Sequence, residues 1–258
     1  MSPENLTPDE LKELLDTEAR RINSPAFIDS DPVQFPRRFS SLPDIEAAAL
    51  LSATIAWGNR KMICRNAHRM LSMMAHDPAR FISEGAFEAV DDDTNLHRTF
   101  FGRDFKHWCR GLRRIFGRYG TVEGLALAHN AGQSEAPAWE LARLLNRELQ
   151  AANQGRADSR CLPLNLDHTA LKRLNMALRW LVRDDGIVDL GVWKAIKPSQ
   201  LFIPLDTHVA AVSRQLGLLQ RRTNDFKAAV ELTEACRQLN PADPALYDYA
   251  LFGIGMNL

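Results

Sequence analysis

The sequence has no long apolar segment and no closely spaced cysteines. No window reaches about 18 uninterrupted apolar residues, and no apolar run follows the first basic residues, so neither a membrane span nor export is expected. Zinc and iron–sulfur sites use close cysteine pairs. The four cysteines are instead tens of residues apart, at Cys64, Cys109, Cys161 and Cys236. We therefore expect reduced thiols, no metal centre and a cytoplasmic protein.

The sequence also has no net charge, since 32 Lys and Arg residues balance 32 Asp and Glu residues. The whole molecule consequently has no long-range positive field that would attract nucleic acid. The charge is nevertheless segregated along the chain, because residues 103–118 include six Lys or Arg side chains and one acidic side chain. Further basic clusters lie at 60–69 and 172–183, and acidic residues are concentrated at 8–18 and 91–93. This segregation is typical of a nucleic-acid-binding face, and also of ordinary solvated helix faces.

No segment alternates apolar and polar residues over a length that would require a sheet, and no internal repeat is present. Apolar residues recur at helical spacing instead, for example in 45–57, 61–75, 105–119 and 224–239. We predict an all-α fold, a two-lobed helical bundle. Residues 1–43 form an exposed, acidic N-terminal helix and a linker. Residues 44–258 form the main helical domain, with the boundary between its lobes near 133–166, where the chain is polar and contains proline.

The segment Pro204–Val209 reads Pro-Leu-Asp-Thr-His-Val, and apolar residues recur at helical spacing after it. Proline disfavours helix at the residue before it, and Asp206 can accept a backbone N–H as the N-cap of the helix that follows. Such a cap contributes about 1 kcal/mol without any chemistry. Asp206 is therefore either a structural cap or a catalytic carboxylate that the helix N-terminus holds in place.

This segment resembles the Pro-x-Asp-Thr-His-Val signature of the helix-hairpin-helix DNA glycosylase superfamily, which includes endonuclease III and the archaeal 8-oxoguanine glycosylases. The resemblance implies two helical lobes, with double-stranded DNA lying across the cleft between them and a damaged base turned out into a pocket. It makes Asp206 the catalytic carboxylate and implies no metal and no soluble cofactor. As a whole, the chain also resembles an uncharacterised bacterial protein family.

The resemblance further implies a nucleophilic lysine on the helix that precedes the aspartate, and Lys172 matches it by position. We predict a helix that Asp167 caps and that ends at Asp184. In bifunctional members of the superfamily the lysine attacks C1′ of the sugar, expels the base and forms a Schiff base. The Leu-Pro-Gly-x-Gly hairpin before that lysine is absent here, as in the archaeal 8-oxoguanine branch, and Cys161–Leu166 stands in its place. The alternative is an ordinary lysine at a helix edge.

Other side chains are candidates for contact with DNA because of their place in the predicted helices. The candidates for contact with the DNA backbone, or for filling the gap that the extruded base leaves in the duplex, are Asn59, Arg60, Arg179 and Arg183. The candidates for stacking on the extruded base are Trp57, Trp180 and Trp193, although aromatic residues of helical proteins also form cores. Asp248 is predicted to face solvent.

The sequence therefore predicts a base-excision DNA repair glycosylase, with lyase activity on oxidised bases such as 8-oxoguanine. Two alternatives stay open: a non-catalytic DNA-binding protein derived from the helix-hairpin-helix fold, and a helical protein-interaction module. The position of Lys172 relative to Asp206 discriminates among them, because covalent catalysis requires both groups at one site.

Overall fold

A computed structural model of the protein describes residues 6–258 and is predominantly helical, which confirms the all-α prediction. The helices are α1 (Pro8–Ile22), α2 (Pro25–Ile28), α3 (Leu42–Thr54), α4 (Arg60–Met73), α5 (Pro78–Glu84), α6 (Gly102–Tyr119), α7 (Val122–Ala128), α8 (Pro137–Ala152), α9 (Lys172–Val182), α10 (Thr207–Gln215), α11 (Phe226–Leu239) and α12 (Tyr247–Met256). Within residues 6–258, no helix combines the length and the apolar character needed to cross a bilayer.

Helix α3 lies at the centre of the fold, and almost all of its residues are buried. It packs against α9, α5 and α4, as its apolar residues on nearly every face predict. Ser41 caps its N-terminus, three residues before the predicted start at Asp44. Its C-terminal end leads through Ile55–Trp57 directly into the loop before α4, and this end of α3 forms part of the site described below.

Helix α1 begins with a capping box between Thr7 and Glu10. Its inner face packs along α12, with Leu15 buried and the Tyr247 hydroxyl donating to Asp16 Oδ1 at 2.8 Å. Gly253 permits the close approach, because a Cβ at this position would lie 2.5 Å from Ile22 Cγ1. The prediction that α1 is an exposed segment is therefore wrong for this face of the helix.

A short antiparallel hairpin joins β1 (Asn95–His97) to β2 (Phe100–Phe101), with Asn95 opposite Phe101 and His97 opposite Phe100. Strands of three and two residues are too short for an alternating pattern to reveal them in the sequence. The hairpin matters because it carries the buried His97 against the end of α3.

Helix α9 begins at Lys172, and the predicted cap at Asp167 is wrong. Residues Leu166–His168 form a separate 3-10 turn, and the Thr169 hydroxyl accepts the N–H of Leu171 at 3.2 Å. Leu171 then adopts a left-handed backbone conformation, with φ of 48°, immediately before the helix. A branched apolar residue in this conformation is strained, which is typical of functional sites. Lys172 is consequently the first residue of its helix.

Candidate active site

Lys172 and Asp206 lie side by side, although they come from different helices. Lys172 is the first residue of α9, and Asp206 is the N-cap of α10, as predicted. The Nζ of Lys172 lies 3.9 Å from Oδ2 of Asp206 and donates to the carbonyl oxygen of Ala56 at 3.3 Å. The other carboxylate oxygen of Asp206 accepts the N–H groups of His208 and Val209, each at 2.9 Å. The helix N-terminus thus fixes the carboxylate with one oxygen directed to the amine.

The pair lies in the wall of a cavity of about 820 Å³, within the range of small-molecule sites. The wall includes residues of α3, α4, α6, α9, α10 and α12. The loop between α8 and α9 contributes Cys161, Leu162, Pro163 and Thr169, so the segment predicted as a boundary between lobes forms one side of this cavity. The charged side chains in the wall are Asp31, Arg60, Lys172, Arg173 and Asp206. The histidine in the wall is His208.

Trp57 offers a half-buried aromatic ring in the cavity wall. The guanidinium of Arg173 lies 5.3 Å from the centre of the Trp57 ring, and His97 meets that ring edge-on at 4.8 Å. The Nε2–H of His97 donates to the Trp57 carbonyl oxygen at 2.9 Å, and its Nδ1 accepts from Asn66. Burial lowers the pKa of His97, which favours the neutral ring that this arrangement needs. The indole of Trp57 is therefore held in one position.

Asn59 and Arg60 follow Trp57 and also line the cavity. Asn59 caps α4 by accepting the N–H of Met62 at 3.2 Å. Arg60 donates to the Ser30 hydroxyl at 3.2 Å and lies over the ring of Phe252 at 4.9 Å. Its Nη2 is buried without a hydrogen-bond partner in the described residues. Arg60 is thus available to an acceptor that enters the cavity.

Arg179 and Arg183 are not at a DNA-facing surface, which corrects their predicted role. Only 4% of Arg179 and 2% of Arg183 is exposed. Arg179 pairs with Asp189 and Asp248, and Arg183 pairs with Asp189, with Asp185 at 3.0 Å and with Asp243 at 2.9 Å. A buried guanidinium requires carboxylate partners, and this network provides them. The two arginines therefore connect α9 to the loop after it and to α12.

Asp248 likewise does not face solvent, because it is buried against Arg179. Burial raises the pKa of Asp248 to about 6, although the guanidinium of Arg179 acts in the opposite direction. The prediction that Asp248 faces solvent is therefore wrong, and its neighbours Tyr247 and Tyr249 are also completely buried.

Trp180 and Trp193 are completely buried, so neither ring can stack on a base in the cavity. The indole N–H of Trp193 donates to Glu46 Oε1 at 2.9 Å inside the core. Both residues are core aromatics, the alternative that the sequence left open. Of the three predicted stacking residues, Trp57 alone lines the cavity.

The sequence profile of a family described as a protein of unknown function, DUF2400, matches residues 31–257. The chain belongs to the DUF2400 family. No curated protein and no solved structure matches the chain. Every residue of the cavity wall, from Asp31 to Met256, lies inside the DUF2400 segment, whereas α1 precedes it.

The residues that line the cavity although the sequence did not single them out as site residues include Asp31, Trp108 and Arg173. Trp108 belongs to the amphipathic pattern of α6, and Arg173 belongs to a basic cluster, so each has an ordinary structural explanation. Asp31 lies in a proline-containing segment that gives no periodic signal. Within residues 6–258, no three His, Cys, Asp or Glu side chains are grouped so that they could hold a metal ion.

Proposed function

We propose that this protein excises damaged bases from double-stranded DNA, with Lys172 as the nucleophile and Asp206 as the carboxylate that stabilises the cationic sugar. The observation that supports this proposal is the 3.9 Å approach of the Lys172 amine to Asp206 Oδ2 in the wall of a cavity. A lysine with only a structural role at a helix edge does not have to lie beside a carboxylate in a cavity wall.

The chemistry assigns a separate task to each group. The Lys172 amine attacks C1′ of the extruded nucleotide as the bond from C1′ to the base breaks, and the base leaves. Positive charge that develops on the sugar is stabilised by Asp206, whose orientation is fixed by two backbone N–H groups before the reaction begins. The resulting Schiff base is the intermediate of strand cleavage by a lyase.

The rest of the wall suits an extruded nucleotide. The Trp57 ring offers a stacking surface for the base, since its position is fixed by Arg173 and His97. Asn59 and Arg60 lie next to Trp57, where they can contact the adjoining DNA backbone or occupy the space that the base has left. The cavity wall has one more cationic side chain than carboxylates, which favours a ligand with phosphate groups.

Borohydride trapping tests the proposal, because it reduces a Schiff base to a permanent covalent adduct. We expect wild-type protein to form an adduct with at least one oligonucleotide duplex that carries 8-oxoguanine, thymine glycol, uracil or an abasic site. Lys172→Gln removes the amine and should abolish the adduct. Asp206→Asn keeps an oxygen that can cap α10 and should slow adduct formation by about 100-fold or more, because it removes the negative charge.

The matched control is Lys227→Gln, which changes an exposed lysine of α11 outside the cavity and should leave trapping unchanged. Failure of wild-type protein to form any adduct would contradict the proposal. Retained DNA binding without an adduct would favour the non-catalytic DNA-binding protein, and absence of both would favour the protein-interaction module.

A further inference from the structure

A second carboxylate, that of Asp31, lines the same cavity as Asp206. Asp31 comes from a different part of the chain, where it caps the 3-10 turn Pro32–Gln34 by accepting the N–H of Val33 at 3.0 Å. Only 7% of Asp31 is exposed. Within residues 6–258 no other hydrogen-bond donor contacts its carboxyl group, so the cap occupies one oxygen and leaves the second available inside the cavity.

The surroundings of Asp31 favour a proton on its carboxyl group. Burial raises the pKa of Asp31, whereas the Val33 N–H and the positive charges of Arg179, Arg60 and Lys172 act in the opposite direction. The charged or titratable groups around Asp31 are therefore Arg60 and Cys64 on α4 and Lys172 and Arg179 on α9. Arg179 is already paired with Asp248 and Asp189, which limits its effect on Asp31.

We propose that Asp31 is a general acid that protonates the base as it departs. This inference depends on the proposed glycosylase function and adds a catalytic residue to it. A buried carboxyl group in the cavity wall is the position that such an acid needs, because the proton donor must lie within reach of a base that enters the cavity.

The proton transfers balance without any further reactant. As Lys172 Nζ bonds to C1′, the bond from C1′ to the base nitrogen breaks and its electron pair stays on the base. The Asp31 carboxyl gives its proton to the base, which leaves as a neutral molecule. The Asp31 carboxylate then accepts the proton that the alkylated Lys172 nitrogen must release. An abasic site carries no base: there the C1′ oxygen takes up the protons that the Lys172 nitrogen releases and leaves as water, so the Asp31 carboxyl is not required for Schiff-base formation.

This difference between substrates provides the test. Asp31→Asn keeps an oxygen that can accept the Val33 N–H, and it removes the acidic proton. We expect this variant to release base from duplexes containing 8-oxoguanine, thymine glycol or uracil about 100-fold more slowly than wild type, for each lesion that wild type processes. Borohydride trapping on an abasic duplex should match that of wild type, which also verifies that the variant is folded.

The pH profile separates an acid from a structural residue. Because the protonated carboxyl is the active form, wild-type base release should fall as the carboxyl loses its proton with rising pH, and the Asp31→Asn profile should lack this decline. The matched control is Asp77→Asn, which changes the N-cap of α5 outside the cavity and should keep the wild-type rate and profile.

The possible results distinguish this inference from the function on which it depends. Wild-type base release and pH profile in Asp31→Asn would overturn the role of Asp31 and leave the glycosylase proposal intact. Equal loss of base release and of abasic-site trapping would also overturn it, since the defect would then not concern the departing base. No adduct between wild-type protein and any of the duplexes would overturn both.

Discussion

Three basic side chains on one edge of α9 show that the surroundings of a residue decide its role. Lys172, Arg179 and Arg183 recur at helical spacing, so the sequence places them on one stripe. Lys172 reaches the cavity and Asp206, whereas the two arginines are buried against Asp185, Asp189, Asp243 and Asp248. These aspartates come from the loop after α9, the segment before α12 and α12 itself, and no local pattern in the sequence reveals that they converge. The ion-pair network therefore had to be seen in the structure.

The buried position of Arg179 leads to a stability prediction. Arg179→Met would leave the carboxylates of Asp189 and Asp248 buried without this guanidinium, and we expect the free energy of unfolding to fall by about 3–5 kcal/mol. Urea unfolding of the variant and the wild type measures this difference. Arg222→Met, which changes an exposed arginine, should alter stability by no more than about 0.5 kcal/mol. An equally small effect for Arg179→Met would contradict the structural role of Arg179. Arg179 would then again be a candidate for contact with DNA.

Most helices were predictable from the sequence, because apolar spacing and helix caps are local signals. The cap at Asp206 lies where the sequence predicts it, and the segments of helical apolar spacing at 45–57, 61–75, 105–119 and 224–239 correspond to α3, α4, α6 and α11. The start of α9 was not predictable, since Asp167 is an equally good cap by composition and the left-handed Leu171 has no sequence signature. The cavity wall was predictable where a motif marks it, at Asp206, and where position in the chain marks it, at Lys172, Trp57, Asn59 and Arg60.

Contacts between elements can add to local caps, as Glu46 demonstrates at α7, which Thr121 also caps. This residue of α3 accepts the first N–H groups of α7, from Val122 at 2.6 Å and Glu123 at 2.8 Å, together with the indole N–H of Trp193 at 2.9 Å. One buried carboxyl group thus joins three parts of the fold. Burial raises the pKa of Glu46 to about 7, although the hydrogen bonds that it accepts act in the opposite direction.

The raised pKa of Glu46 makes its contribution to stability depend on pH. Because the folded protein holds this proton more tightly than the unfolded chain, the contribution is fully present below pH 4.5, the ordinary pKa, and is lost as the pH rises through about 7. Glu46→Gln cannot titrate, so the stability advantage of wild type over this variant should decrease from about pH 5 to pH 8. Thermal unfolding across this range measures the change. The control is Glu13→Gln, at an exposed position of α1, and its difference in stability from wild type should not change over this range. A stability advantage of wild type over Glu46→Gln that grows with pH would refute the assignment.

At the scale of the molecule, folding pairs the basic side chains of some clusters with carboxylates and leaves others unpaired. The segment 103–118 has the largest local excess of basic residues, but most of them are paired in the structure. Arg103 pairs with Asp93, Lys106 with Asp92 and Arg110 with Glu88, and both Arg114 and Arg118 pair with Glu148. On α4, which begins at the cavity, Lys61 and Arg65 are exposed and have no carboxylate partner in the described residues. Part of the positive charge that no carboxylate neutralises therefore lies on the helix that begins at the cavity.

Under the proposed function, this distribution predicts which face of the molecule would contact DNA. If the duplex lies over the cavity, Arg65 contacts a phosphate, and Arg65→Gln should weaken binding to every DNA sequence and reduce the slope of log affinity against log salt by about 1. The matched control is Arg103→Gln, since Asp93 already neutralises Arg103 at an exposed position of α6, and it should leave both affinity and slope unchanged. Fluorescence anisotropy with an abasic duplex, measured at several salt concentrations, determines both quantities. Equal effects of the two substitutions would contradict a DNA face at the cavity, because a phosphate contact at α4 alone cannot make binding depend on Arg103.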